Sequence, residues 1–198
     1  MSAAVKLHPR IQDEFYVEPQ WATALLLRHE TFTGPVWDPA CGSGNICRAV
    51  RATGLTTVGS DIVERSDDDE AWWCGPLDFL TGRGPEHVRS IITNPPFFRA
   101  VGTEAFIRKA LTIASDKVAV FTDVKFLASQ RRAEGLFAEH CPHRVWIHAK
   151  RPSCPPGAHL AAGHEAKGGT ADWCWLVWDL KAPKVSTYQG GWLRDPRP

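Results

Sequence analysis

The tetrad Asn94-Pro95-Pro96-Phe97 combines residue types that could bind and activate a planar amino group. Asn94 offers an amide oxygen, and the rigid diproline keeps the Pro95 carbonyl out of any helix, because proline fixes φ and lacks an amide N–H. Phe97 adds a flat aromatic face on which a ring could stack. Hydrogen bonds from an amine to two oxygens would shift electron density onto its nitrogen and stabilise the charge that develops during attack. A plain strand end under hydrophobic cover would explain the prolines but not the asparagine.

The sequence DPACGSG, residues 38–44, follows a short apolar run and precedes a helical stretch. Gly42 and Gly44 would let the backbone turn tightly and approach a ligand without a Cβ in the way. Asp38 would place a carboxylate near a cationic group. Cys47 stands where the dinucleotide fingerprint GxGxxG has its third glycine, so the loop does not predict a pyrophosphate site. An ordinary glycine turn is the structural alternative.

Acidic residues lie at the ends of the second and third strands that the sequence predicts. Asp61 ends the second strand, where a carboxylate can accept hydrogen bonds from ribose hydroxyls, although a turn or helix-capping aspartate would look the same. After the third strand, Asp78 could accept from an amino group and Phe79 could stack on a purine. Together with the glycine loop, these residues predict a nucleoside ligand that carries an amine.

Strands alternate with helices along the chain. The predicted strands are 35–38, 56–61, a weaker one at or just before 76–80, then 88–93, 117–122, 144–149 and 172–180. The predicted helices are 21–29, with Pro19 suited to the first turn, then 45–52, 103–114 and a long amphipathic helix over 124–140. This alternation predicts an α/β fold with parallel βαβ units in a doubly wound sheet. Because ligands bind at the carboxyl ends of the strands in such sheets, the candidate residues should meet at one edge.

Length and composition fit a single globular domain. The chain has 198 residues, 43% of them hydrophobic and 23% charged, and its formal net charge of +1 gives no overall preference for nucleic acid or membrane. The start lacks the apolar core of a secretory signal, no run approaches transmembrane length, and the six cysteines are scattered. We therefore expect a cytoplasmic protein with reduced thiols, and no metal site, because the Cys and His spacings match no common zinc pattern.

The second half of the chain contains a glycine- and proline-rich segment, residues 150–171, without any apolar period. Such a long irregular connection is typically either functional or disordered, and we predict a flexible active-site loop. Basic residues near strand ends could contact phosphates and give salt-sensitive, sequence-independent affinity, although a solvated helix face is the alternative for the two adjacent arginines. The predicted nucleic-acid contacts are Arg99, Lys125, Arg131, Arg132, Lys150 and Arg151.

The motif pair DPACGSGN and NPPFF resembles the class I S-adenosylmethionine-dependent methyltransferases, in particular those that methylate the N6 amino group of adenine in DNA. Small phage and prophage members are the most similar, and the resemblance covers nearly the whole chain in the same motif order. It implies S-adenosylmethionine as cofactor. It also implies a mostly parallel, seven-stranded, Rossmann-like sheet with an antiparallel last strand and helices on both faces.

The resemblance assigns residues position by position. Residues 1–34 match an N-terminal cofactor-lid segment, in which Tyr16 and Pro19 match contacts to the methionine part of the cofactor. The remaining cofactor positions are Asp38, Ala40, Gly42 and Gly44 in the loop, Asp61 at the ribose, and Asp78 and Phe79 at the adenine. The catalytic positions are Asn94, Pro95, Pro96 and Phe97.

The resemblance is incomplete in one respect, because enzymes with this motif order usually carry a C-terminal target-recognition domain. We expect one methyltransferase domain over residues 1–198 without that addition. Sequence specificity would then come from the 150–171 loop or from a partner subunit, or it would be slight. The expected partners are DNA, or RNA, together with either a second copy of the chain or a separate specificity subunit. A base inside a duplex cannot reach such a site, so the target adenine must be flipped out or single-stranded. The alternatives are methylation of an RNA base or a protein glutamine amide, and a non-catalytic nucleic-acid-binding module with a vestigial pocket.

Overall fold

A computed structural model describes residues 15–65, 71–98 and 101–195 of the chain. The strands of this part are β1 Val36–Asp38, β2 Thr57–Asp61, β3 Trp73–Pro76, β4 Ser90–Thr93, β5 Lys117–Asp123, β6 Arg144–His148, β7 Trp173–Asp179 and β8 Gln189–Leu193. Its α-helices are α1 Gln20–His29, α2 Asn45–Arg51, α3 Val101–Ile113, α4 Gln130–Glu134, α5 Leu136–Glu139 and α6 Gly157–Ala161. None of these helices is long and apolar enough to cross a bilayer.

The strands form one sheet in the order β3-β2-β1-β4-β5-β7-β6-β8. Strand β7 runs antiparallel to β5 and β6, and all other neighbours pair in parallel. The predicted doubly wound, mostly parallel sheet is therefore confirmed. In this sheet order, β2, β1 and β4 are neighbours. Because they run in parallel, their carboxyl ends share one edge of the sheet.

The sheet has eight strands rather than the seven predicted, because β8 adds to its edge beside β6. The sequence of β8, QGGWL, does not predict a strand, because glycine has low strand propensity and most residues of this strand are exposed. Gly191 is nonetheless required there. A Cβ at Gly191 would lie 2.5 Å from the Trp146 ring on the neighbouring strand.

Helices cover both faces of the sheet. Ile92, Ala119 and Phe121 face a buried cluster with α1 and α2, whereas Ile91 and Val118 face a second cluster with α3 and α5. Neighbouring strand residues thus alternate between two cores, as the period of a strand requires. The central strands are apolar on both sides, which is typical of a parallel sheet packed between helical layers.

The long helix predicted over 124–140 is wrong. The segment instead forms a 3-10 turn, Val124–Leu127, followed by the short helices α4 and α5. The Asp123 carboxylate accepts from the Lys125 amide at 2.8 Å, and the Ser129 hydroxyl accepts from the Arg132 amide at 3.4 Å. These side-chain caps start new turns in competition with one continuous helix, and Gly135 then separates α4 from α5.

Glu30, directly after α1, holds a polar network at the edge of the sheet opposite the glycine loop. Its carboxylate accepts from Lys117 Nζ at 2.9 Å, from Trp146 Nε1 at 2.9 Å, and from the Arg144 guanidinium. Glu30 is only 4% exposed. Burial acts to raise its pKa, but the hydrogen bonds from Arg144, Lys117 and Trp146 outweigh burial and hold the pKa below its ordinary value.

Glu30→Gln is expected to lower the free energy of unfolding by about 3 kcal/mol, because it removes the nearer carboxylate from two partly buried cations, Lys117 and Arg144, and leaves them only longer contacts with Asp179. Urea unfolding at pH 7 measures this loss, and Glu134→Gln, on the exposed face of α4, is the control without effect. The ionised Glu30 stabilises the fold fully above its ordinary pKa of 4.5, and this contribution is lost as the pH falls through the lowered folded value. The difference in the free energy of unfolding between wild type and Glu30→Gln should therefore become smaller in acid. A difference that does not change with pH would show that the charge of Glu30 is not its cause.

Candidate functional site

The glycine loop leaves β1 and turns back against the end of β2. The Asp38 carboxylate accepts from the Ala40 amide at 3.2 Å, and the Asp61 carboxylate accepts from the Gly42 amide at 2.9 Å. Gly42 and Gly44 have φ of 52° and 85°, values that favour glycine. The structure thus brings Asp38, Ala40, Gly42, Gly44 and Asp61 together at the carboxyl edge, where the sequence places them.

Asn94 follows β4 at the same edge, and its carboxamide has a fixed orientation. Its Nδ2 donates to the Tyr16 carbonyl at 3.0 Å and to Glu18 Oε2 at 2.8 Å. A backbone carbonyl can only accept, so the NH₂ group must face Tyr16. Asn94 Oδ1 points the other way and is buried without a hydrogen-bond partner among the described residues. Because buried acceptors are rarely left unpaired, this oxygen is a candidate ligand contact.

Residues 15–18 run as an extended segment between the glycine loop and the segment predicted as an active-site loop. The Val17 amide donates to the Pro155 carbonyl at 3.0 Å, and the Gly157 amide donates to the Phe15 carbonyl at 3.0 Å. Helix α1 begins directly after Pro19. The segment that contains Tyr16 is therefore fixed to both sides of the site.

Two buried carboxyl groups, those of Glu18 and Asp38, lie at this edge. Burial raises the pKa of Glu18 to about 7, against the hydrogen bond from Asn94 and the charge of Arg48, which lower it. Burial, reinforced by the nearby Glu18, raises the pKa of Asp38 well above its usual range. Asp38 Oδ2 has no hydrogen-bond partner among the described residues. A positively charged ligand group would relieve both effects.

Two cavities adjoin at Tyr16, which lines both of them. The smaller one, about 60 Å³, is bordered by the glycine loop, Glu18, Asp61 and Asn94. The larger one, about 680 Å³, is bordered by Phe97 and by parts of the 150–171 segment. The tetrad therefore faces one cavity with its first residue and the other with its last.

The smaller cavity is narrow because two side chains occupy its mouth. Arg65 Nη1 forms an ion pair with Asp61 Oδ1 at 2.5 Å, and its guanidinium lies 4.5 Å from the centre of the Phe15 ring. That ring packs on the glycine loop, since a Cβ at Gly42 would lie 2.3 Å from it. Cofactor pockets typically measure about 300–1,000 Å³, so the smaller cavity lies below that range with Phe15 and Arg65 in these positions.

The larger cavity has an aromatic wall. The rings of Phe97 and Trp173 lie 5.7 Å apart, and Trp173 stacks on Phe121 at 4.8 Å. The segment predicted as an irregular loop forms most of the remaining lining, with Tyr16 and Asp123, and contains the short helix α6. Such a wall suits a flat aromatic ligand.

Two predicted cofactor residues lie apart from the smaller cavity. The prediction that Phe79 stacks on a purine is wrong for this structure, because its ring is 2% exposed and packs between Trp37 and Phe106. The Asp78 carboxylate accepts from the Leu80 amide at 2.9 Å and from the Thr81 hydroxyl at 2.7 Å, which lowers its pKa. Its contact with adenine stays a prediction.

Most of the predicted nucleic-acid contacts have partners within the protein. Arg131 pairs with Glu104 at 2.8 Å, Arg151 pairs with Asp172 at 2.7 Å, and Lys150 lies 5.4 Å from the centre of the Trp21 ring. Arg132 donates to the Phe126 carbonyl at 2.6 Å and stacks on its ring. Lys125 is exposed beside the site, and Arg99 lies outside the described residues. These contacts stay predictions.

Sequence reasoning missed Glu18, Arg65 and Trp173. An acid inside the segment FYVEP, residues 15–19, was a signal for Glu18, but its burial depends on how that segment packs against Asn94. Arg65 lies four residues after Asp61 in a segment that is not helical. No helical or strand pattern in the sequence therefore predicts that the two side chains pair. Trp173 is one of several tryptophans in β7, and only the fold shows that it lies beside Phe97.

Neither protein-family models nor curated proteins give a match to the sequence. Several solved structures, in contrast, are similar to this chain. A provisionally assigned class I S-adenosylmethionine-dependent methyltransferase from Listeria monocytogenes superposes with a TM-score of 0.61 at 13% identity, over 92% of this chain and 67% of that one. A provisionally assigned RNA methyltransferase from Pyrococcus horikoshii gives a TM-score of 0.61 at 17% identity, over 87% of this chain and 90% of that one. The chain therefore has the fold of the class I S-adenosylmethionine-dependent methyltransferases.

Proposed function

We propose that this protein transfers a methyl group from S-adenosylmethionine to the N6 amino group of adenine in DNA. The observation that carries the proposal is Asn94 Oδ1 at the end of β4, which is buried and has no hydrogen-bond partner in the part of the chain that the structure describes. It lies at the edge of a sheet whose fold is that of class I methyltransferases. An acceptor oxygen held there has its natural partner in the N–H of an exocyclic amine.

The residues at the smaller cavity fit S-adenosylmethionine, which carries an ammonium group, a sulfonium and ribose hydroxyls. Glu18 and Asp38 are buried acids that a cation would stabilise, and Asp38 Oδ2 lacks a partner among the described residues. Asp61 would accept from the ribose once Arg65 leaves it. The positive φ of Gly42 and Gly44 lets the loop approach the ligand closely.

When bound, the cofactor supplies an electrophilic methyl on its sulfonium. Asn94 Oδ1 and the Pro95 carbonyl accept the two N–H groups of the target amine, while Phe97 and Trp173 hold the ring. The glycine loop, Asp38 and Asp61 would hold the cofactor so that its methyl group could pass to the amine nitrogen, with the electron pair of the carbon–sulfur bond left on sulfur. The nitrogen then loses one proton to water. Two fixed acceptors stabilise the positive charge that develops on nitrogen during attack.

A nucleobase is the proposed acceptor because the larger cavity, at about 680 Å³, falls within the range of about 300–1,000 Å³ for ligand pockets and has an aromatic wall. DNA is the proposed polymer because the motif pair DPACGSGN and NPPFF resembles the DNA N6-adenine methyltransferases. Such a pocket suits a base that has left the stack. An RNA base is the second candidate, since the same wall accepts any unpaired base and one structural neighbour, from Pyrococcus horikoshii, is provisionally assigned to RNA.

Transfer of a tritiated methyl group separates the acceptor classes. Single-stranded DNA, duplex DNA, RNA and a protein extract are offered in parallel with the labelled cofactor, and calorimetry measures cofactor binding separately. We expect label in DNA. Label only in RNA or only in protein would overturn the choice of DNA, and binding without transfer to any acceptor would favour a non-catalytic module.

Lys125→Ala is expected to weaken DNA binding and lower the salt slope of log K by about 0.7 for a single strand, because one phosphate contact is lost. Fluorescence polarisation of a labelled oligonucleotide between low and moderate salt measures the slope. Lys184→Ala is the matched control, since Lys184 is exposed at the opposite edge of the sheet, after β7. Equal slopes for wild type and Lys125→Ala would show that Lys125 contacts no phosphate.

A further inference from the structure

We propose that Glu18 is a positioning residue for Asn94: its carboxylate fixes the carboxamide and strengthens Asn94 Oδ1 as an acceptor. This inference rests on the proposed function for its effect on catalysis, but not for the contact itself. Glu18 Oε2 accepts from Asn94 Nδ2 at 2.8 Å, in a side chain that is only 7% exposed. Both residues line the smaller cavity.

The two amide hydrogens of Asn94 have one acceptor each. The Tyr16 carbonyl takes one at 3.0 Å and Glu18 takes the other, so Oδ1 is the only polar atom of the carboxamide left for a ligand. A carboxylate is a stronger acceptor than a neutral carbonyl, and charge-assisted hydrogen bonds polarise the group that donates them. Negative charge on Glu18 thus increases the electron density on Asn94 Oδ1.

Glu18 is itself held from several sides. Asn45 Nδ2 donates to the Glu18 carbonyl at 2.7 Å, and the preceding residue, Val17, donates its amide to Pro155. This fixed backbone gives the carboxylate little freedom to turn away from Asn94. A surface glutamate would exchange such a partner for water, whereas Glu18 is buried and has no such alternative.

The charge of Glu18 depends on the groups that face it. Asp38 approaches from the end of β1, and Cys154 from the 150–171 segment. Arg48 and Cys47 approach from α2. Arg48 is the cation of this set, and burial nonetheless raises the pKa of Glu18 to about 7. The carboxylate is therefore neutral in mild acid and charged in mild base, so the polarisation of Asn94 should be present above pH 7 and lost below it.

Side-chain amide resonances of Asn94 test the contact without any acceptor or cofactor. In ¹H–¹⁵N spectra of the ligand-free protein, assigned by their loss in Asn94→Ala, these signals should shift with a midpoint near pH 7. In Glu18→Gln the shift should vanish, and in Asp38→Asn it should persist. Signals that do not titrate in the wild type, or that titrate equally in Glu18→Gln, would overturn the proposal.

Kinetics test the consequence for catalysis. Glu18→Gln keeps the shape of the side chain, and we expect kcat about tenfold lower above pH 7, because a charged acceptor becomes neutral. With the cationic cofactor bound, the pKa of Glu18 should lie below its ligand-free value, so the wild-type kcat should fall with a midpoint below pH 7. This fall should disappear in the variant, while Kd for the cofactor changes less than kcat. The assay uses the acceptor that receives the tritiated methyl group in the transfer experiment described above. An unchanged kcat and pH profile would refute the positioning role, whereas wild type inactive on DNA but active on RNA would refute only the choice of DNA.

Discussion

Asn94→Ala is expected to lower kcat for methyl transfer by about 10²–10³-fold, the loss seen when one preorganised hydrogen-bonding group is removed from a reacting centre. Alanine removes Oδ1, the buried acceptor that the described part of the protein leaves without a partner. The Pro95 carbonyl alone would then have to orient the amine. Rapid-quench measurement of a single turnover, with the cofactor saturating, reports the chemical step directly.

Cofactor binding by Asn94→Ala should stay within about twofold of wild type, because the hydrogen bonds that Asp38 and Asp61 make to the glycine loop do not depend on Asn94. Calorimetry with S-adenosylhomocysteine measures this. Gln130→Ala removes an exposed amide from α4 and is the control for a general effect of amide loss. A slow variant that also fails to bind the cofactor would indicate structural damage, and a variant with wild-type kcat would refute the role of Asn94.

Asp61→Ala is expected to weaken cofactor binding by about 10–100-fold, because hydrogen bonds to a charged group each contribute about 1.5–3 kcal/mol. The side chain now accepts from the Gly42 amide at 2.9 Å and pairs with Arg65. Its loss would remove both the ribose contact and the bond that shapes the glycine loop. Titration calorimetry gives Kd, and thermal unfolding shows whether the fold survives.

Two comparisons sharpen the Asp61 experiment. Glu134→Ala, on the exposed face of α4, should leave Kd unchanged. Asp61→Ala should also raise KM for the cofactor much more than it lowers kcat, because Asp61 binds the cofactor without touching the reacting atoms. A variant that keeps wild-type Kd would show that Asp61 serves its contacts within the protein, with Gly42 and Arg65, and does not bind the cofactor.

The carboxyl-edge site was predictable because it follows from local pattern. Short apolar runs that each end in a polar residue or a glycine turn give the strands of a parallel sheet, and such strands align their carboxyl ends. Asp38, Asp61 and Asn94 lie together for that reason. The aromatic wall beside Phe97 was not predictable, since Trp173 reaches it only through the antiparallel insertion of β7 beside β5.

Other features depend on contacts between distant parts of the chain. Glu18 becomes buried because residues 15–18 cross Asn94 and pair with Pro155, which no local period encodes. Phe79 was assigned to a ligand, but it lies between Trp37 and Phe106 in the core. An exposed stacking ring and a core ring look alike in the sequence, and only tertiary packing separates them.

The central claim is that Asn94 presents the target amine of a DNA adenine to the methyl donor. Nucleoside mass spectrometry tests it on genomic DNA from a host without adenine methylation that expresses either wild type or Asn94→Ala at equal soluble levels. The account predicts N6-methyldeoxyadenosine with wild type and none with the variant. Its absence with wild type, or equal amounts with both proteins, would contradict the account.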